Sequence, residues 1–201
     1  PRKNTIKSMK ELPIVKAILT DDNQGLKFMS AVESPAIMVN WVKFNDEKPI
    51  KMAIQNEEQQ IVFAPALIPD LPIYRNHNGR EFYLMFDKET IEQIALKFAK
   101  DNLLNSIDLN HDGIKLSGVQ IYQSFVTNEH TVDNVKAFET LPIGTWFVGA
   151  KVDNQDVWQL IKEEKLNGWS IDGLFEFKID DNLSDNEIEQ MIDEVLNSTK
   201  N

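Results

Sequence analysis

Gly118-Val119-Gln120-Ile121-Tyr122-Gln123-Ser124-Phe125-Val126-Thr127 is the stretch that sets the fold class. Val119, Ile121 and Phe125 alternate with Gln120, Tyr122 and Ser124, the period of two that sends successive side chains to opposite faces of a strand. A strand of this kind has one buried face, which suits a curved sheet or a barrel. Similar runs, rich in Val, Ile, Phe and Trp and bounded by Gly, Pro, Asn or Asp, recur at 26–33, 37–44, 60–68, 81–86, 106–111, 145–152 and 169–178. About eight strands are therefore expected, and the chain reads as mainly β.

Two helices interrupt the strands. The first is predicted over 88–100, where Ile91, Ile94, Ala95 and Phe98 recur at helical spacing and Asp87 can accept a bond from the first-turn amides. The second follows Asp153-Asn154, puts Val157, Trp158 and Ile161 on one face, and is expected to stop at Asn167-Gly168, where glycine can turn left-handed. A third helix of another kind is expected in the tail: Ser184 and Glu187 form a capping-box pattern, and Ile188, Met191, Ile192, Val195 and Leu196 make one apolar stripe. That stripe has to be covered by the parent domain, a second copy or a partner helix. The organisation read from these signals is an N-terminal extension or edge element over 1–24, a main domain over 25–178, and an acidic amphipathic helix over 179–201 behind the hinge-like Asp180-Asp181-Asn182.

At 201 residues with 42% hydrophobic and 26% charged content, the chain can bury one sizeable core. A net charge of −11 argues against nucleic-acid binding, which needs clustered Lys and Arg, and favours a protein partner or substrate. The absence of cysteine excludes disulfides, thiol nucleophiles and cysteine-ligated metal, and His77, His111 and His130 are too scattered for a zinc signature. No cofactor or metal is called for. No apolar run reaches the roughly 18 residues that cross a bilayer, and Pro1-Arg2-Lys3-Asn4-Thr5 lacks a signal peptide's apolar stretch, so the expectation is a cytoplasmic protein without membrane contact.

Two short polar motifs between strand-like runs carry the candidate chemistry: Asn110-His111-Asp112-Gly113 and Gly168-Trp169-Ser170-Ile171-Asp172-Gly173. An imidazole, titrating at about 6.5 when unperturbed, can take the proton of a serine hydroxyl at neutral pH, so the pair suits a serine hydrolase. Gly168 and Gly173 would leave room for a substrate backbone and for amides facing an oxyanion. A histidine bonded in a strand-end turn, and glycines serving as a helix cap and a bulge, account for the same residues without chemistry. Asp108, Asn110, Asp112 and Gly113 also fit the first half of an EF-hand calcium loop, but Leu116 and Val119 fall where ligands 9 and 12 belong. His77 and His130 sit in polar, turn-like stretches and read as loop residues.

Taken in order, Ser30-Ala31-Val32-Glu33-Ser34-Pro35-Ala36-Ile37, Asn110-His111-Asp112, Gly144-Thr145-Trp146-Phe147-Val148, Lys151-Val152-Asp153 and Gly168-Trp169-Ser170-Ile171-Asp172-Gly173 resemble the XkdF-like phage prohead (capsid maturation) serine proteases over about residues 26–176. These are relatives of the herpesvirus assemblins, so the resemblance implies a closed or nearly closed antiparallel β-barrel of about seven strands with surrounding helices. It implies His111 as general base and Ser170 as nucleophile of an endopeptidase cutting scaffold and major capsid protein, and itself, inside an assembling prohead in the host cytoplasm. Assemblin-like enzymes often work as homodimers. The third catalytic group is a departure, because no histidine follows Ser170. Asp172 is the leading candidate: two residues along a regular strand it shares the face of Ser170 at roughly 6 to 7 Å. Asp108 and Asp112 would point to the opposite face from His111 on a strand, and Glu33 serves only if its strand runs beside that of His111. The Ser30–Ala36 segment, which in other prohead proteases follows the serine, here precedes the histidine, as a circular permutation of the barrel would produce. The alternative is a catalytically inactive head or scaffold component that keeps the barrel and binds capsid protein.

Overall fold

The computed structural model describes residues 12–38, 50–77, 79–131, 138 and 140–179. The described strands are β1 (Ile14–Ile18), β2 (Gly25–Val32), β3 (Ala53–Asn56), β4 (Ile61–Leu67), β5 (Ile73–His77), β6 (Arg80–Met85), β7 (Ile107–Leu109), β8 (Val119–Val126), β9 (Trp146–Val152), β10 (Gly168–Leu174) and β11 (Glu176–Ile179). Two α-helices are described whole, α1 (Lys88–Lys100) and α2 (Gln155–Lys162). The mainly β expectation holds. Hydrogen bonding distributes the strands among three sheets, ordered β11-β1-β6-β5, β10-β2-β7 and β3-β4-β9-β8, and no closed barrel is found among the described residues. The pairing is also mixed, since β1 runs parallel to β6 and β2 parallel to β7.

The centre of the core is β9. Trp146, Phe147, Val148, Ala150 and Val152 are all fully buried, because β9 lies between β4 and β8 and has both faces covered. The neighbouring β8 is the edge strand whose alternation sets the fold class. Val119 and Ile121 point in and Gln120 points out, and a register shift between Ile121 and Gln123 leaves Tyr122 exposed. Beyond the shift Ser124 faces Trp146 and accepts its indole N–H at 2.9 Å, so the polar half of the pattern is used inside the fold. The Phe63 and Phe147 rings stack at 5.2 Å, with Phe138 against both.

Helix α1 buries Ile91, Ile94, Ala95 and Phe98, and Phe98 meets Trp146 edge-on at 5.3 Å, which docks the helix on this core. Asp87 caps it as expected, accepting from the Thr90 amide at 2.8 Å. Asn154 caps α2 through the amides of Asp156 and Val157, and Val157, Trp158 and Ile161 are its buried face. The predicted stop at Gly168 is wrong. The helix ends at Lys162, Glu164 takes the left-handed turn at φ 54°, and Gly168 opens β10 instead.

Other boundaries move for tertiary reasons. The stretch read as an N-terminal extension supplies β1, which lies between β11 and β6 with Val15 and Ala17 buried. The run at 169–178 is two strands broken at Phe175, and β3 and β5 carry too few apolar residues to stand out in sequence. Of the expected 37–44 strand, Ile37 and Met38 are helical and the remainder lies outside the described residues. The expected tail helix lies outside them as well.

Candidate active site

The three-stranded sheet brings one residue from each strand into a row. Ser170 of β10 is in register with Ser30 of β2, and Ser30 with Asp108 of β7. Their neighbours Trp169, Met29, Ala31 and Ile107 point the other way into the core, each nearly inaccessible, and the Trp169 indole donates to the Val148 carbonyl at 3.1 Å. Alternation thus forces Ser170, Ser30 and Asp108 onto the opposite face.

That face is covered by the chain leaving β7. Asn110 and His111 are both left-handed, at φ 51° and 61°, and Gly113 follows at φ 69°. For non-glycine residues such geometry costs on the order of 1–3 kcal/mol and persists only where surroundings enforce it. Here the Asn110 amide bonds the Ala31 carbonyl at 3.1 Å, the Gly113 amide donates to Asp108 Oδ2 at 2.9 Å, and the Leu116 amide returns to the Ile107 carbonyl at 2.7 Å. The turn therefore folds back over the row. It buries Ser30 and Asp108 to 0% and 1% exposure and hangs the His111 ring above the two serines. His111 Nε2 lies 2.9 Å from Ser170 Oγ, and Nδ1 lies 2.9 Å from Ser30 Oγ.

Two hollows meet at Ser170. One, open and of about 290 Å³, is lined by Glu33, Ser34, Asn110 and His111. The other, a cleft of about 170 Å³, runs between β10 and the sheet of β5 and β6, with Leu67, Ile73, Leu84, Phe86 and Trp169 in its walls. Arg75 also lines this cleft. Its Nη1 donates to the Tyr74 carbonyl at 3.0 Å, it has no ion pair among the described residues, and burial pulls its pKa below the usual guanidinium value.

His111 and Ser170 are brought together within hydrogen-bond distance. Asp172 is on the strand of Ser170, exposed and in register with Phe28, and lines the cleft; the nitrogen of His111 that an acid was expected to meet faces Ser30. Gly168 and Gly173 serve packing. A Cβ on Gly168 would lie 2.7 Å from Pro35 Cγ, and one on Gly173, at the β10 bulge, 2.3 Å from the Gly25 carbonyl oxygen. Sequence reasoning missed Ser30 as a site residue. The signal was available, since Ser30 interrupts the apolar run Phe28-Met29-Ser30-Ala31-Val32 as Ser170 interrupts its own.

A family profile described as "Putative phage serine protease XkdF" matches residues 49–180, more than half of the chain. The chain belongs to the XkdF family of phage serine proteases. Nothing among curated proteins or solved structures matches it. The span shared with the XkdF family holds His111 and Ser170, whereas Ser30 precedes it. In this XkdF-family chain the imidazole bridges two hydroxyls. If Nδ1 carries the ring hydrogen, Nε2 is left as a base facing Ser170, the arrangement that activates a serine for acyl transfer.

Proposed function

We propose that this protein is the maturation endopeptidase of a phage prohead, with Ser170 as nucleophile and His111 as general base. The observation that carries the reading is the continuous hydrogen-bonded line Ser170 Oγ, His111 Nε2, His111 Nδ1, Ser30 Oγ, with both links at 2.9 Å. In the forward step Nε2 takes the Ser170 proton as the serine oxygen bonds to the scissile carbonyl carbon. The imidazolium then returns that proton to the leaving amine as the C–N bond breaks, and an acyl-enzyme remains. Water, deprotonated by the same nitrogen, attacks the ester and releases the acid and Ser170. Ser30 accepts from Nδ1–H throughout and keeps the ring in its plane.

The substrates under this reading are extended segments of scaffold and major capsid protein, and segments of the protease itself. The two hollows on either side of Ser170 give such a segment room on both sides of its scissile bond. Confinement within the closing shell supplies the concentration, and the acidic tail over 179–201 serves as a docking segment that carries the enzyme inside. The test is intact-mass analysis of the protein incubated with its own scaffold and capsid proteins, beside Ser170→Ala. Fragments in the wild type alone are expected. No fragments in either sample, while shells form, would leave the inactive head component as the correct description.

A further inference from the structure

A serine beside Nδ1 poses a problem that the protease reading leaves open. For His111 to act as a base toward Ser170, its Nδ1 must hold the hydrogen and Ser30 Oγ must accept it. A hydroxyl is also a donor. Were Ser30 to point its own hydrogen at Nδ1, the ring hydrogen would move to Nε2, and His111 would face Ser170 as a donor unable to take its proton. Something has to draw the Ser30 hydrogen away from the ring.

We infer that Asp108 does so, as a positioning residue that sets the His111 tautomer through Ser30; this rests on the protease reading above. Asp108 is the next member of the Ser170–Ser30–Asp108 row, on the strand beside Ser30. It is 1% exposed. One carboxylate oxygen, Oδ2, accepts the Gly113 amide and so pins the turn that carries His111. The other, Oδ1, is buried without a hydrogen-bond partner. An unsatisfied buried carboxylate oxygen is expensive, and Ser30, in register with Asp108 on the neighbouring strand and not bonded to Oδ1 in the structure, carries the hydroxyl of the row that can donate to it. Closing that contact satisfies the orphan oxygen and fixes the direction of the Ser30 hydrogen. It leaves Ser30 Oγ as a pure acceptor for Nδ1–H. The acid of the catalytic set thus acts on His111 through one intervening hydroxyl.

Asp108→Asn separates this role from a merely structural one. The side-chain oxygen of asparagine must stay on the Gly113 N–H, which only an acceptor can satisfy, so its NH₂ faces Ser30. Ser30 then becomes an acceptor from the amide and a donor to Nδ1, and the ring hydrogen moves to Nε2. The measurement is ¹⁵N NMR of the histidine-labelled full chain at a pH where the rings are neutral, with His111 assigned by His111→Gln. Wild type is expected in the Nδ1–H form and Asp108→Asn in the Nε2–H form, with labelling of Ser170 by a fluorophosphonate slowed by about 10²-fold or more. An Nε2–H ring in wild type overturns the inference without need of the variant. An Nδ1–H ring that Asp108→Asn leaves in place, in a variant that melts cooperatively, overturns it too. Failure of wild-type Ser170 to label at all strikes the protease reading itself, while the tautomer still decides the role of Asp108.

Discussion

Met29, Ala31, Ile107 and Trp169 look in one direction from the β10-β2-β7 sheet, and Ser170, Ser30 and Asp108 look in the other. Single residues along the strands separate the two sets, and Ser30 is as inaccessible as Met29. The apolar face gains stability simply by leaving water, at about 25 cal/mol per Å². The polar face is buried against that tendency. A hydroxyl or carboxylate taken from water costs free energy unless each of its atoms finds a partner. Here the turn strained into left-handed geometry at Asn110 and His111 brings the imidazole to Ser30 and the Gly113 amide to Asp108 Oδ2, while Asp108 Oδ1 is left without a partner. On the proposed reading, fold stability and chemistry are divided between opposite faces of one sheet, which makes them separable by mutation.

The largest expected effect falls on the polar face. Ser170→Ala should lower peptide-bond cleavage by about 10⁴-fold or more while shifting unfolding free energy by less than about 0.5 kcal/mol, because the side chain is partly exposed and small. Parallel activity assays and urea melts read both quantities. Trp169→Ala, one residue away, should do the reverse: it empties a core position and removes the bond to Val148, costing about 3–5 kcal/mol in the same melts. An equal loss of stability in the two variants would break the division. Gly168→Ala presses a methyl to within 2.7 Å of Pro35 Cγ unless something shifts, and is expected to cost about 1–3 kcal/mol and to move the β10 entry beside Ser170. Asn154→Ala, at the α2 cap and outside the lining of the two hollows, should cost about 1 kcal/mol with cleavage per folded molecule unchanged.

What the sequence made legible follows from how local each cause is. The helix caps at Asp87 and Asn154 and the alternation of β8 depend on neighbours in the chain, and they were readable. His111 and Ser170 were readable because polar motifs between apolar runs are conspicuous. Ser30 as a partner of His111 depends on β2 lying between β10 and β7, one antiparallel and the other parallel, and nothing within eight residues of Ser30 specifies that. The dismissal of Asp108 treated His111 as a strand residue. In the structure the strand ends at Leu109 and two left-handed residues carry His111 back over the row. The same local assumption favoured Asp172, which shares the strand of Ser170 but not the side of the histidine that needs a partner. β1 read only as part of an extension or edge element because its pairing partners, β6 and β11, lie far along the chain.

The Ser170, His111 and Ser30 line is proposed to make Ser170 a nucleophile. The most direct test is fluorophosphonate labelling of the full chain at neutral pH, followed by intact mass and peptide mapping, beside His111→Gln and Ser30→Ala. A single adduct on Ser170 is expected, abolished in His111→Gln and slowed in Ser30→Ala. An unlabelled Ser170 in a folded wild type, or labelling indifferent to His111, would contradict it.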